Sequence, residues 1–192
     1  MKIRLVIGLA ATLTLAACGS SSSTDSNTST PVVENSASAA GFNDADVMFA
    51  QMMIPHHEQA IEMSDMALDP STQASKEVID LATQIKAAQD PEIKQMKDLL
   101  AAWGQPLTAE MDHGSDMDGM LSMDDMEKLG ALKGPDFDYL WAQSMIAHHE
   151  GAIDMAEVVL DDGSNAEALT LANAIVSAQA TEIDILKTIP KP

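Results

Sequence analysis

The stretch DVMFAQMMIPHHEQAIEM, Asp46 to Met63, occurs a second time as DYLWAQSMIAHHEGAIDM, Asp138 to Met155. The two copies align without a gap, so His56 matches His148 and His57 matches His149. Gln51, Met53, Ile54, Glu58, Ala60, Ile61 and Met63 recur at the same offset. Four of the five histidines of the chain sit in these two His-His pairs.

Both copies have the period of a helix. With His56 as origin and about 100° per residue, Phe49, Met52, Met53, Ala60 and Met63 fall within about 60° of it. Glu58 and Glu62 fall on the opposite side and are expected in solvent, as is Glu150. Trp141, Met145, Ala152 and Met155 surround His148 in the same way. The histidines are therefore centred on a stripe destined for a core.

Outward from the repeats, the chain reads as helices throughout. The first runs from about 43 to 68, capped by Asn43 or Asp44 and stopped at Asp69-Pro70. Pro55 should bend it just before His56. The second runs from Ser71 to Ala102 and is closed by Trp103-Gly104, with a kink expected at Asp90-Pro91. The third, Pro135 to Leu160, carries the second copy and breaks at Gly163. The fourth runs from Asn165 to about Ile189. It echoes the second, because Ile85, Gln89, Glu92 and Ile93 match Ile175, Gln179, Glu182 and Ile183. The repeating unit is thus a helical hairpin, and the fold class is all-α. Two hairpins that cannot hide their apolar stripes alone pack as a four-helix bundle.

Residues 105–134 form a long Met- and Asp-rich connection, more than the usual two to eight residues between helices. Its second part, Ser122 to Leu132, reads as a short capped helix with Met123, Met126, Leu129 and Leu132 on its apolar edge.

The N-terminus reads as a targeting segment. Lys2 and Arg4 precede an apolar run ending in Leu15-Ala16-Ala17-Cys18, the pattern of a bacterial lipoprotein signal. Residues 1–17 are expected to be removed and Cys18 lipidated. Residues 18–42, rich in Ser, Thr, Asn and Ala, form a tether too polar to fold. Residues 43–192 are the domain. This places the protein in the cell envelope, lipid-anchored to the membrane and facing the periplasm or exterior.

A formal net charge of −20 argues against nucleic acid and attracts cations. Cys18 is the only cysteine, so the domain offers no thiolate. Soft-metal ligands must be thioethers and imidazoles, a pairing that suits Cu(I) and is a poor host for Mg, Ca or Mn. Met53 lies one turn before both His56 and His57, and Met145 one turn before His148 and His149. The candidate metal ligands are therefore His56, His57, His148, His149, Met53 and Met145, followed by Met63 and Met155. Met111, His113, Met117 and Met120 lie where no core period demands Met, and they could gather Cu(I) or Ag(I) more loosely. Met48, Met66 and Met96 are read as core filler, the ordinary use of Met at helical spacing.

The paired motifs Met53-Ile54-x-His56-His57-Glu58-x-Ala60-Ile61-x-Met63 and Met145-Ile146-x-His148-His149-Glu150-x-Ala152-Ile153-x-Met155 resemble the DUF305 family over about residues 43 to 188. Leu121-Ser122 and the approach Gly134-x2-Phe137-Asp138 add to the likeness. The resemblance implies a ferritin-like bundle, usually exported, with some members associated with copper handling. It is not that of a di-iron protein, which needs Glu-x-x-His where Met53 and Met145 stand here.

The function expected is an envelope-anchored protein binding Cu(I), with Ag(I) as a second ion, for buffering, delivery or resistance with a copper-handling partner protein. A di-metal redox enzyme and a metal-free structural or interaction module are the alternatives. No nucleophile–His–Asp arrangement, Gly-rich phosphate loop or basic patch points to another catalytic class.

Overall fold

The computed structural model describes residues 41–109 and 118–192. The signal, Cys18, the tether up to residue 40, and Met111, His113 and Met117 lie outside the described residues. Helix α1 spans Asp44–Leu68, α2 Lys76–Trp103, α3 Met123–Ala131, α4 Gly134–Asp162 and α5 Ala166–Leu186, with a 3-10 turn at Pro70–Thr72. Helix α1 pairs with α2 and α4 with α5. The two hairpins meet chiefly along α1 and α4. This is the four-helix bundle expected from the repeat, with α3 as an addition.

Local chemistry sets the helix ends. Asn43 caps α1 in a reciprocal box with Asp46. Gly104 ends α2 in the left-handed region at φ 67°. Ser122 caps α3 and Asn165 caps α5. Helix α2 begins at Lys76 rather than Ser71. The Asp69 carboxylate accepts the Ser71 N–H at 2.8 Å, which holds the intervening residues in the tight turn until Ser75 caps the helix. Helix α5 ends at Leu186, short of Ile189, in a turn that precedes Pro190. Helices α1 and α2 run unbroken through Pro55 and Pro91.

The apolar interior lies in two blocks. One joins Ala60 and Met63 of α1 with Leu81 and Ile85 of α2, Phe137, Trp141 and Met145 of α4, and Leu186 of α5. The other joins Phe49 and Met53 with Ile93 and Met96, Ala152 and Val159, and Leu171 and Ile175. On every long helix the residues between the buried members of the two blocks include the histidines, or Gln89 and Glu92, or Gln179 and Glu182.

Three methionines depart from their expected places. Met48 is 55% exposed and Met123 88% exposed, so neither fills the core. Met66 is only partly buried beside the first block, whereas Met96 is fully buried as expected. The period placed Met48 near the edge of the α1 stripe, and no described element covers that edge.

A second duplicated device joins the hairpins. Asp46, fully buried at the start of the first repeat, accepts the N–H groups of Ser164 and Asn165 at 3.1–3.2 Å, ahead of α5. It also accepts the Asn43 N–H at 2.8 Å. Its counterpart Asp138 accepts the Ser75 N–H at 3.1 Å, at the cap of α2. Each repeat thus opens with a carboxylate seated on the helix N-terminus of the other hairpin, where the dipole favours it. Replacing Asp46 with Ala orphans several partly buried donors and should cost about 3 kcal/mol in urea unfolding, whereas Asp138→Ala should cost about 1–2 kcal/mol. Equal and negligible losses would show that these carboxylates do not hold the hairpins together.

Candidate metal centre

The antiparallel meeting of α1 and α4 brings the two repeats level with each other. The indole N–H of Trp141 donates to the Met63 carbonyl at 3.0 Å and helps fix that register. His56, His57, His148 and His149 are all fully buried. The rings of His56 and His148 face each other with centroids 3.7 Å apart and planes tilted by 40°. His148 and His149 have centroids 6.4 Å apart. The sequence expectation that both His-His pairs point inward and converge is met.

The other two helices complete the layer. Glu92 of α2 accepts from His57 Nε2 at 2.9 Å, and Glu182 of α5 accepts from His149 Nε2 at 2.8 Å. A carboxylate can only accept, so Nε2 of each ring carries the proton, and in the neutral ring Nδ1 presents a lone pair. Carboxylate–histidine pairs of this kind orient metal-binding imidazoles and raise their basicity. Gln89 and Gln179 lie in the same layer, 2% and 3% exposed. These four residues were visible in the sequence as an echo between the second and fourth helices. What was missing was the rotation that turns them toward the histidines. Glu58 and Glu150 are exposed as expected, and Glu58 pairs with Lys97 at 2.9 Å.

The layer is conspicuous for bonds it does not make. Among the described residues, every buried side-chain nitrogen or oxygen without a partner belongs to it. These atoms are Nδ1 of His56, His57, His148 and His149, Nε2 of His148, and both amide atoms of Gln89 and Gln179. Each such atom costs about 1–3 kcal/mol of desolvation when left unmatched. Burial, then the neighbouring His57, lowers the His56 pKa to about 4. Burial, then the facing His56, pushes His148 well below the usual histidine range. Both rings are therefore neutral at neutral pH and hold lone pairs that a metal ion could take without displacing a proton.

A strap closes one side of the layer. The Asp118 carbonyl accepts from His56 Nε2 at 3.3 Å, which leaves Nδ1 of that ring bare. Gly119 has φ 82°, and a Cβ there would stand 2.4 Å from the Ala147 carbonyl oxygen. A Cβ on Gly151 would stand 2.1 Å from the Asp118 carbonyl oxygen. Gln59 holds the strap from the α1 side. Its amide accepts the Leu121 N–H at 2.8 Å and donates to the Leu121 carbonyl at 2.9 Å. The repeats differ at this position, Gln59 against Gly151, because one copy grips the strap and the other makes room for it.

The thioethers are divided. Met53 and Met145 are fully buried one turn from the histidines, in different apolar blocks, so they lie on opposite sides of the layer. Met63 and Met155 are about two turns, roughly 10 Å, from the histidines along their helices. The fold does not bring them to the layer. Met155 packs at the edge of the second block, and Met63 lies within the first. Met120 lines a cavity of about 390 Å³ with Gly119, Leu121, Gln143, Ser144 and Ala147, beside the strap.

Among the described residues no group of three or more His, Cys, Asp or Glu side chains is placed so that it could hold a metal ion. The contact distance between His56 and His148 leaves no room for an ion between their planes. The donors suit a low-coordinate soft ion at the ring edges, with thioethers one turn away, rather than a hard octahedral one.

The depressed histidines give a signed prediction. The unfolded chain takes up protons near pH 6.5 and the folded one only near pH 4 at His56, so stability is full above about pH 6.5. It falls as the pH drops through that range toward 4. His56 alone should contribute about 3 kcal/mol to this slope. Unfolding profiles of the metal-free protein and the His56→Gln variant should converge between pH 7 and pH 4. Parallel profiles would contradict the burial of a neutral ring.

No curated protein matches the chain. A DUF305 protein of Streptomyces coelicolor, provisionally described as secreted, is 31% identical with a TM-score of 0.69. The match covers 74% of this chain and 89% of that one. A DUF305 fragment from Deinococcus radiodurans is 31% identical with a TM-score of 0.67, covering 76% and 94%. CopM, solved in its Cu(I)-bound form, is 30% identical with a TM-score of 0.61, covering 74% and 92%. CopM has also been solved with Cu(II) and with Ag. The family model described as a domain of unknown function, DUF305, matches residues 46–189, and the chain belongs to that family.

Proposed function

We propose that the protein binds Cu(I), and Ag(I) in its place, through the buried histidine layer, and that it serves copper buffering, delivery or resistance in the cell envelope. One observation carries this reading. All of the unmatched buried polar side-chain atoms of the described fold are gathered in one layer, and the imidazole nitrogens among them are soft-metal donors. A bound ion would satisfy lone pairs that nothing among the described residues satisfies. The roughly 30% identity to CopM, solved with Cu(I), Cu(II) and Ag, supports the same choice of ion.

His56, His57, His148 and His149 are the proposed ligands, with Met53 and Met145 as thioether donors on either side. Glu92 and Glu182 are positioning residues that hold His57 and His149 with Nδ1 free. Met63 and Met155 are withdrawn from this ligand set on distance. Met111, His113, Met117 and Met120 are proposed as a looser outer donor group. Cys18 and residues 1–42 are proposed as the lipid anchor and its tether. No helix among the described residues is long and apolar enough to cross a membrane.

Glu92 and Glu182 are also the feature that favours a dinuclear redox centre. Di-iron bundles use four carboxylates and two histidines, however, and here two carboxylates are committed to ring N–H groups. Two iron or manganese ions per chain in protein isolated without added copper would overturn the copper reading.

Competition titrations against a Cu(I) chelator should show tight binding in the wild type and its loss when His57 and His149 are both changed to Gln. Glu92→Gln with Glu182→Gln should weaken binding about 10- to 100-fold without abolishing it. Wild-type affinity in the His57/His149 double variant would sink the proposal. A Cys18→Ser variant should leave the membrane fraction for the soluble one; continued membrane association would remove the anchor.

A further inference from the structure

The pseudo-symmetry of the repeats exposes a second candidate site. Around α1 and α4 there are two equivalent grooves, one at each end of the seam. At one end α3 lays Met126 and Leu129 over the seam, against Met66 and Leu140. At the other end no described element covers the groove, which has a volume of about 400 Å³. Its lining includes Met48 and Met52 of α1, Met155 and Val158 of α4, and the carboxylate residues Asp44 and Asp162.

Met155 touches the edge of the second apolar block, but Met48 and Met52 belong to neither block, so packing does not explain them. Met48 is 55% exposed, and Met52 and Met155 are partly exposed. Their repeat partners are Leu140, Ser144 and Met63. Where the groove is covered, the α4 positions hold Leu and Ser; where it is open, the α1 positions hold two thioethers. Met48 and Met52 are one turn apart, so their side chains are neighbours on one helix face. Met155 reaches the same groove from the facing helix. Thioethers carry no proton to lose, and three of them form a soft donor set that hard ions do not favour. Asp44 and Asp162 add negative charge at the rim, on a protein that is already strongly acidic.

We infer that Met48, Met52 and Met155 form a surface site for a soft monovalent cation, Cu(I) or Ag(I), separate from the buried histidine layer. It shares the soft-ion chemistry of the reading above but none of that reading's ligands. Exposed thioethers exchange an ion with solvent more readily than buried rings do, so the site suits capture or hand-over.

Ag(I), free of redox chemistry, is the probe. Protein carrying ¹³C-labelled methionine methyl groups is titrated with silver nitrate in chloride-free buffer. The methyl signals of Met48, Met52 and Met155 should move together on one binding curve. They should do so equally in the His57→Gln/His149→Gln variant, so failure of the histidine site would not hide this one. Met48→Leu with Met52→Leu, which keeps size and apolarity, should abolish the shift at Met155. Unmoved methyl signals at saturating Ag(I), movement that requires the histidines, or a Met155 shift that survives the double substitution would overturn the inference.

Discussion

The structure turns on a layer of polar groups placed where an ordinary bundle would be driest. Four imidazoles, two amides and two carboxylates cross the middle of the molecule, and nine nitrogen and oxygen atoms there lack a partner. At about 1–3 kcal/mol each, that cost is comparable to the whole net stability of a domain. The apolar blocks on either side, and the carboxylates Asp46 and Asp138 that tie the hairpins together, are what allow the fold to carry it.

Duplication supplies the layer economically. One hairpin contributes a His-His pair, a Glu that fixes one ring, and a buried Gln; the second copy doubles each. The places where the copies diverge are as informative as those where they agree. Gln59 and Gly151 differ because, among the described residues, a strap crosses the seam on one side. Met48 and Met52 differ from Leu140 and Ser144 where α3 covers one groove and no described element covers the other. The duplicated positions build the interior, and the diverged ones make the two faces different.

Much of this was legible in the sequence. The helical period around His56 and His148 gave the fold class, the hairpin repeat and the inward aim of the histidines. Caps at Asn43, Ser122 and Asn165 were visible as residue types. Three things were not. Period alone cannot say which residues of neighbouring helices share a level, so Glu92, Glu182, Gln89 and Gln179 were seen as an echo but not as part of the site. It cannot show which residues pack into the apolar blocks on either side, so Met63 and Met155 were grouped with the histidines although they pack in or against those blocks. Nor can it tell an apolar edge that is covered from one that is not, and so Met48 was assigned to the core and Met123 to the apolar edge of its helix.

The most direct test is nitrogen-15 NMR of the histidine rings, without and with one equivalent of Ag(I). The account predicts that His57 and His149 are protonated at Nε2 in the metal-free protein. On addition of silver, Nδ1 signals of the layer should shift and show coupling to the silver nucleus. Protonation of His57 and His149 at Nδ1, or imidazole nitrogens that do not respond to silver, would contradict it.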